Sequence, residues 1–399
     1  MTPRTVLSIH NFYQQPGGED TVFATEVATL ERQGHRVIRY EEHNDRIGNG
    51  ALAGIATIWN HASYRRIRDT VSEHRPDVAH FHNTFPLISP AAYYAVQRLG
   101  VPVVQQLSNF RMLCPGGIFL RNGQPCELCL ESGSLLPAVK HKCYRGSRAA
   151  TAAVAGMLTV HRATGTWARM VDVYIALSEF ARRKFIEGGL PEDRILVKGN
   201  CVTPDPGRGD GNGGYALFVG RLSEEKGIQT LVEAWRSLPD IPLLVAGDGP
   251  LNQAEWPKGV TCLGPKSRAE VFELMRDAAV LVFPSVCYEC APVTILEAFA
   301  CGLPVIASDI GSIPEFVAHQ ESGLLFRPGH TQDLGRQVRW AFDNPGRMRE
   351  VRAVARREYE LKYTAEVNYR ALIEVYEIAI QNARRARRDR RVERMAAVG

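Results

Sequence analysis

Long apolar runs are missing from this 399-residue sequence: none approaches the roughly 18 residues that a membrane-spanning helix needs. The N-terminal MTPRTVLSIHNF passes almost directly into a strand-like run, Val6 to Ile9, without a signal-peptide core or cleavage site. A cytoplasmic location is therefore expected. No internal repeat is evident. Net charge is also missing from the body: residues 1–380 carry 41 basic and 41 acidic side chains, so no global bias toward nucleic acid exists and no nucleic-acid partner is expected. The whole excess of +5 sits in the tail, QNARRARRDRRVERMAAVG, which reads as a frayed, solvated helix end. The other reading of the tail is peripheral contact with an anionic membrane, at about 1 kcal/mol per arginine. Nine cysteines in a cytoplasmic chain argue for thiols or a metal site over disulfides.

What the sequence does have is a sustained alternation of short β-rich runs with helical patterns. Val6–Ile9, Val37–Tyr40, Val78–Phe81 and Val101–Leu107 alternate with helices over 21–33 and 91–99. The rhythm restarts after residue 200, with strands Tyr215–Val219, Leu243–Ala246, Val280–Phe283 and Val305–Ala307, and helices over 227–238, 268–278 and 292–300. Such alternation predicts an α/β protein of parallel sheets covered on both faces. Two series of this length predict two doubly wound, Rossmann-like domains facing across a cleft. Their expected bounds are 1–196 and 215–364, joined by the Gly-, Pro- and Asp-rich linker 197–214. A helix over 365–380, crossing back to the first domain, and the basic tail 381–399 follow. In open parallel sheets ligands sit beyond the carboxyl ends of the strands, so the chemistry belongs to the loops there.

Three loops of the second domain are unusual. In FVGRLSEEKG, Gly220 ends a strand, Arg221 and Lys226 occupy the turn, and Gly227 opens a helix. Two cations and a helix N-terminus suit a doubly charged phosphate group, although pairing of Arg221 and Lys226 with Glu224 or Glu225 in a solvated turn explains the same residues. VAGDGP contains Gly247 in a turn that is either simple punctuation or a shelf for a flat base. The third is FPSVCYECAPVTILEAFACGLPV, where Ala291 stands at the expected N-cap of a helix and offers no side-chain oxygen. The backbone N–H groups around Ala291, Pro292, Val293 and Thr294 then suit phosphate or sugar oxygens. Glu289 precedes them in the loop, and Glu297, two turns into the helix, is placed to accept from a vicinal diol such as a ribose.

Taken in order, G-R-L-x-x-E-K-G, the G-D-G-P turn and E-x7-E running into E-A-x-A-x-G-x-P-V-I-A-S resemble the donor domain of family 4 glycosyltransferases, retaining enzymes of the GT-B fold. The resemblance covers nearly the whole chain. It implies that Arg221 and Lys226 hold the diphosphate of a nucleoside-diphosphate sugar, that Glu297 binds the ribose, and that Glu289 binds a donor-sugar hydroxyl. Gly220, Gly247 and the N–H groups around Ala291 to Val293 would complete the cradle. Cys290 is a departure, standing where the family usually has glycine or a small apolar residue. The pair Cys287 and Cys290 has no second C-x-x-C nearby. The chain has no Asp-x-Asp motif, so transfer without a catalytic metal is expected, with Arg221, Lys226 and the helix end meeting the charge on the leaving phosphate.

In the first domain, Gly17-Gly18 precedes a helix and is followed by Glu19, like the family's Gly-Gly-x-Glu loop against donor phosphate and acceptor. His80 and His82 match its His-x-His segment, His82 being the stronger candidate for the cleft and for catalysis. Ser108, before Asn109, replaces the histidine that relatives carry. Cys114, Cys126, Cys129 and Cys143, spaced C-x11-C-x2-C-x13-C within an insertion at about 110–145, suit a structural Zn²⁺ on the acceptor side, with free thiols or an iron–sulfur cluster as alternatives. The expected activity is transfer of a sugar to an acceptor hydroxyl on a glycan, a lipid-linked sugar or a small metabolite. The rivals are a nucleotide-sugar 2-epimerase of the same fold and a non-catalytic nucleotide-sugar-binding scaffold.

Overall fold

A computed structural model describes residues 2–15, 17–47, 51–253 and 255–396; the end of the basic tail, 397–399, lies outside these, and side chains are not described for 51–53 or from 390 onward. The chain divides into two compact units. One comprises residues 1–117, 127–198 and 369–399, the other 118–126 and 199–368.

The first unit holds a six-stranded sheet of β1 (Thr5–Phe12), β2 (Arg36–His43), β3 (Val78–Phe81), β4 (Val103–Leu107), β5 (Val173–Ala176) and β6 (Ile195–Val197), ordered β2-β1-β3-β4-β5-β6. The second holds β7 (Ala216–Val219), β8 (Leu243–Ala246), β9 (Val260–Gly264), β10 (Val280–Phe283), β11 (Val305–Ser308) and β12 (Gly323–Phe326), ordered β9-β8-β7-β10-β11-β12. Every pairing in both sheets is parallel. Burial on both faces explains the unbroken apolar runs: Val78 to Phe81 and Val280 to Phe283 are buried at every position. Each sheet reverses its winding once, between β1 and β3 in the first unit and between β7 and β10 in the second. Those two reversals are the topological switch points at which ligands sit in such folds.

The expected strands Val78–Phe81, Leu243–Ala246 and Val280–Phe283 coincide with the observed ones. The alternation did not mark the helices Ala51–Ile58, His61–His74 and Arg148–Ala163 or the strand β5. His61–His74 shows why: only Ser63, Tyr64, Ile67 and Val71 are buried, so its apolar stripe is thin. Its start is fixed instead by Asn60, whose side chain accepts from the Ser63 N–H at 3.1 Å. The last helix is longer than expected. It runs unbroken from Ala365 to Ala396, and Tyr369 and Tyr376 tie it to the first unit through His35 (2.8 Å) and His80 (2.9 Å).

Candidate functional site

At the switch point of the second unit, the loop after β7 and the loop after β10 are stitched together by backbone. Val286 N–H and the Ser285 hydroxyl both donate to the Glu225 carbonyl, each at 3.0 Å. Gly227, at φ 72°, closes the first loop, and a Cβ there would lie 1.9 Å from the Pro284 carbonyl oxygen. Only glycine fits. Gly227→Ala is therefore expected to push the two loops apart and lower the thermal midpoint, whereas Ser237→Ala, at an exposed position just past the helix Ile228–Trp235, should leave the loops in place; thermal unfolding of both variants checks this. Gly247 repeats the device: its Cβ would meet the Gly220 carbonyl oxygen at 1.9 Å, so the G-D-G-P turn lies directly against the end of β7.

This stitching brings Lys226 and Glu289 together. The Lys226 ammonium donates to Glu289 Oε1 at 2.6 Å, and the Ser285 hydroxyl donates to the same oxygen at 2.9 Å. Lys226 thus pairs with the distant Glu289 rather than with its neighbours Glu224 or Glu225. Burial works against its charge, but the Glu289 carboxylate, with Cys287 and Glu225 nearby, outweighs that and raises its pKa above the ordinary lysine value. The Glu289 backbone is fixed in turn by the Ser312 hydroxyl, which donates to its carbonyl at 2.7 Å. Arg221 is exposed and forms no ion pair among the described residues. It stands beside the Lys226–Glu289 pair in sequence but remains uncommitted.

The helix after this loop spans Val293–Ala300, one residue later than expected, so Pro292 and not Ala291 holds the N-cap position. Proline likewise has no side-chain acceptor, and no side-chain cap bond is made. Glu297 differs more. Its side chain is only 12% exposed and accepts from Arg268 Nε at 3.1 Å. Burial raises the Glu297 pKa while Arg268 opposes the shift. Arg268 also donates to the Thr203 carbonyl at 2.9 Å. It was not singled out in the sequence, where it simply opens a helix behind the capping Ser267. The Cys287 thiol is pushed up to about 12 by burial and then by Glu289, which leaves it unreactive as a nucleophile.

At the switch point of the first unit, Glu19 and Asn109 meet. Glu19 accepts from Asn109 Nδ2 at 2.8 Å and from the Tyr13 hydroxyl at 3.0 Å, and burial raises its pKa. Asp20 accepts from the Gly17 N–H at 2.9 Å, fixing the Gly17-Gly18 start of the helix Gly18–Arg32, and its other oxygen bonds His10 Nε2 at 2.7 Å. Gly17 and Gly18 are exposed. His82, Ser108 and Asn109 line one cavity of ≈ 60 Å³, walled by Phe85, Tyr93 and Trp167. Two of its polar groups, Gln106 Oε1 and Trp167 Nε1, are buried without a hydrogen-bond partner. His80 is wholly buried and does not line this cavity.

Among the described residues the structure lends the expected zinc site no support. Thiolates on one zinc lie roughly 3.8 Å apart, given Zn–S distances of about 2.3 Å. Cys114 and Cys143 both come close to Gly116. Yet among the described residues no three of Cys114, Cys126, Cys129 and Cys143 offer ligand atoms within 4.8 Å of one another.

Two parallel doubly wound units, each with polar groups converging at its switch point, define the GT-B class of α/β protein. Within that class the chain is built of glycosyltransferase domains: residues 17–201 match the family model described as glycosyl transferase 4-like domain, and residues 206–358 match that described as glycosyl transferases group 1. The amylovoran biosynthesis glycosyltransferase AmsK of Erwinia amylovora is 26% identical over 235 residues, 52% of this chain and 56% of that protein. Alpha-maltose-1-phosphate synthase of Mycolicibacterium smegmatis is 39% identical over 132 residues, 29% of this chain and 34% of its own length. These matches span little more than half of the curated relatives, or less. Among solved structures, Anabaena Alr3699/HepE in complex with UDP and glucose superposes with a TM-score of 0.68 at 17% identity, over 94% of this chain and 100% of its own. WaaG, a glycosyltransferase involved in lipopolysaccharide biosynthesis, gives 0.65 at 17% over 92% and 98%. Among the described residues no helix is long and apolar enough to cross a membrane.

Proposed function

We propose that this protein is a retaining glycosyltransferase that moves a sugar from a nucleoside-diphosphate sugar to an acceptor hydroxyl, the second unit binding the donor and the first the acceptor. The observation that carries the proposal is the convergence of Lys226, Glu289 and an uncapped helix start at the β7/β10 switch point. A structural neighbour that holds UDP and glucose supports it. In the proposed reaction the bond from the sugar's anomeric carbon to the diphosphate oxygen breaks, and a bond to the acceptor oxygen forms on the same face. The acceptor's proton passes to a diphosphate oxygen. Arg221 and Lys226 meet the negative charge that develops on the leaving group, and the N–H groups of the Val293–Ala300 helix add to them. The arriving diphosphate competes with Glu289 for the Lys226 ammonium, which releases the carboxylate to accept from a sugar hydroxyl. Glu297, already oriented by Arg268, accepts from the ribose.

A thermal-shift screen of UDP, GDP, ADP and TDP tests donor binding, since a ligand of the folded state raises the midpoint in proportion to its affinity. One nucleotide is expected to stabilise the chain, and Glu297→Ala is expected to weaken that nucleotide by about tenfold or more, from the loss of charge-assisted hydrogen bonds worth roughly 1.5–3 kcal/mol. No shift with any nucleotide would remove the reading. A labelled donor incubated with and without acceptor extract then separates transfer from epimerisation and from mere binding.

A further inference from the structure

One buried cluster of the first unit is left unused by this chemistry. His80 and His82 point to the same side of the chain at the end of β3, with ring centroids 4.1 Å apart. Glu26, on the helix Gly18–Arg32, faces both: its Oε2 lies 3.7 Å from His82 Nε2 and 3.9 Å from His80 Nδ1. All three side chains are between 0 and 2% exposed. Lys198 bonds the other carboxylate oxygen, Oε1. Glu26 Oε2, both ring nitrogens of His82 and Nε2 of His80 have no hydrogen-bond partner. Orphaned acceptors at such depth are costly, each by about 1–3 kcal/mol, unless something occupies the space between them.

We propose that Glu26, His80 and His82 bind one divalent transition-metal ion of the zinc type. One ligand atom from each residue lies within 4.8 Å of the other two. Two ligands each about 2.0–2.1 Å from a tetrahedral ion are roughly 3.4 Å apart, so a small closure of the observed 3.7 and 3.9 Å reaches bonding distance. Imidazole and carboxylate together select zinc, cobalt or nickel over magnesium or calcium. Lys198 fixes the carboxylate from its far oxygen, the kind of outer contact that orients metal ligands. The Tyr376 hydroxyl, now 2.9 Å from His80 Nδ1, would have to turn from that nitrogen to the ion, where it offers a fourth donor. His82 lines the cavity described above, the side from which an ion would enter.

The test uses the full chain, stripped with chelator and titrated with Co²⁺ and with Zn²⁺. One equivalent is expected, with the visible bands of low-coordinate cobalt and without near-ultraviolet thiolate charge transfer. His80→Ala and His82→Ala, which leave the Lys198–Glu26 pair intact, are each expected to weaken binding at least tenfold. Cys114→Ser/Cys143→Ser should retain it. Far-ultraviolet dichroism checks that each variant is folded, and a His82→Gln variant replaces His82→Ala should that one fail. Failure of the wild-type chain to take up metal, or retention of metal by both histidine variants, overturns the site. So does loss of metal in the cysteine variant alone. None of these outcomes depends on donor binding or turnover.

Discussion

Lys226→Ala is expected to lower turnover by about 10²–10³-fold, the range that follows from removing one preorganised stabiliser of a leaving group. Two effects combine. The ammonium that would meet the diphosphate is lost, and Glu289, only 17% exposed, is left with the Ser285 hydroxyl and no counter-charge. A carboxylate facing an arriving diphosphate repels it, so donor binding should weaken along with turnover. Glu289→Gln separates the two effects, because it keeps the shape of the loop and removes the competing charge. In that variant nucleotide binding is expected to hold or tighten while transfer falls. Steady-state kinetics with a nucleotide-binding assay checks both. Turnover unchanged by Lys226→Ala would mean that the pair is only a strut between two loops.

The second large effect is on stability. Lys198→Ala should cost about 3–5 kcal/mol, since it leaves Glu26 buried without its cation. Both partners of this pair are 2% exposed, and the remaining Glu26 oxygen has no hydrogen bond to fall back on. Removing both charges with Lys198→Met/Glu26→Leu is expected to recover most of the loss, because the pair's attraction is largely cancelled by the cost of drying it. Chemical denaturation of the single and double variants measures the difference. A single variant as stable as the parent would show that water reaches the cluster.

Much of this architecture was legible in the sequence, and the legible part has a common cause. Strands buried on both faces must be apolar throughout, so Val78–Phe81 and Val280–Phe283 announce themselves. Glycines that permit backbone contact are equally plain, and Gly227 and Gly247 mark the loops that meet at the switch point. What could not be read was pairing across long separations. Lys226 lies 63 residues from Glu289, Arg268 lies 29 from Glu297, and Lys198 lies 172 from Glu26. Local spacing offers Glu224 and Glu225 as partners for Lys226, and only the fold rejects them. Whether the four cysteines come together is equally a matter of the fold, which their spacing does not carry.

The long terminal helix has a consequence for synthesis. Residues 369–399 belong to the first unit, and Tyr369 and Tyr376 reach back to His35 and His80 from the far end of the chain. On the ribosome, therefore, the half made first cannot finish packing until Tyr369 and Tyr376 have emerged, whereas residues 199–368 of the other unit are made before them. The order of maturation is the reverse of the order of emergence.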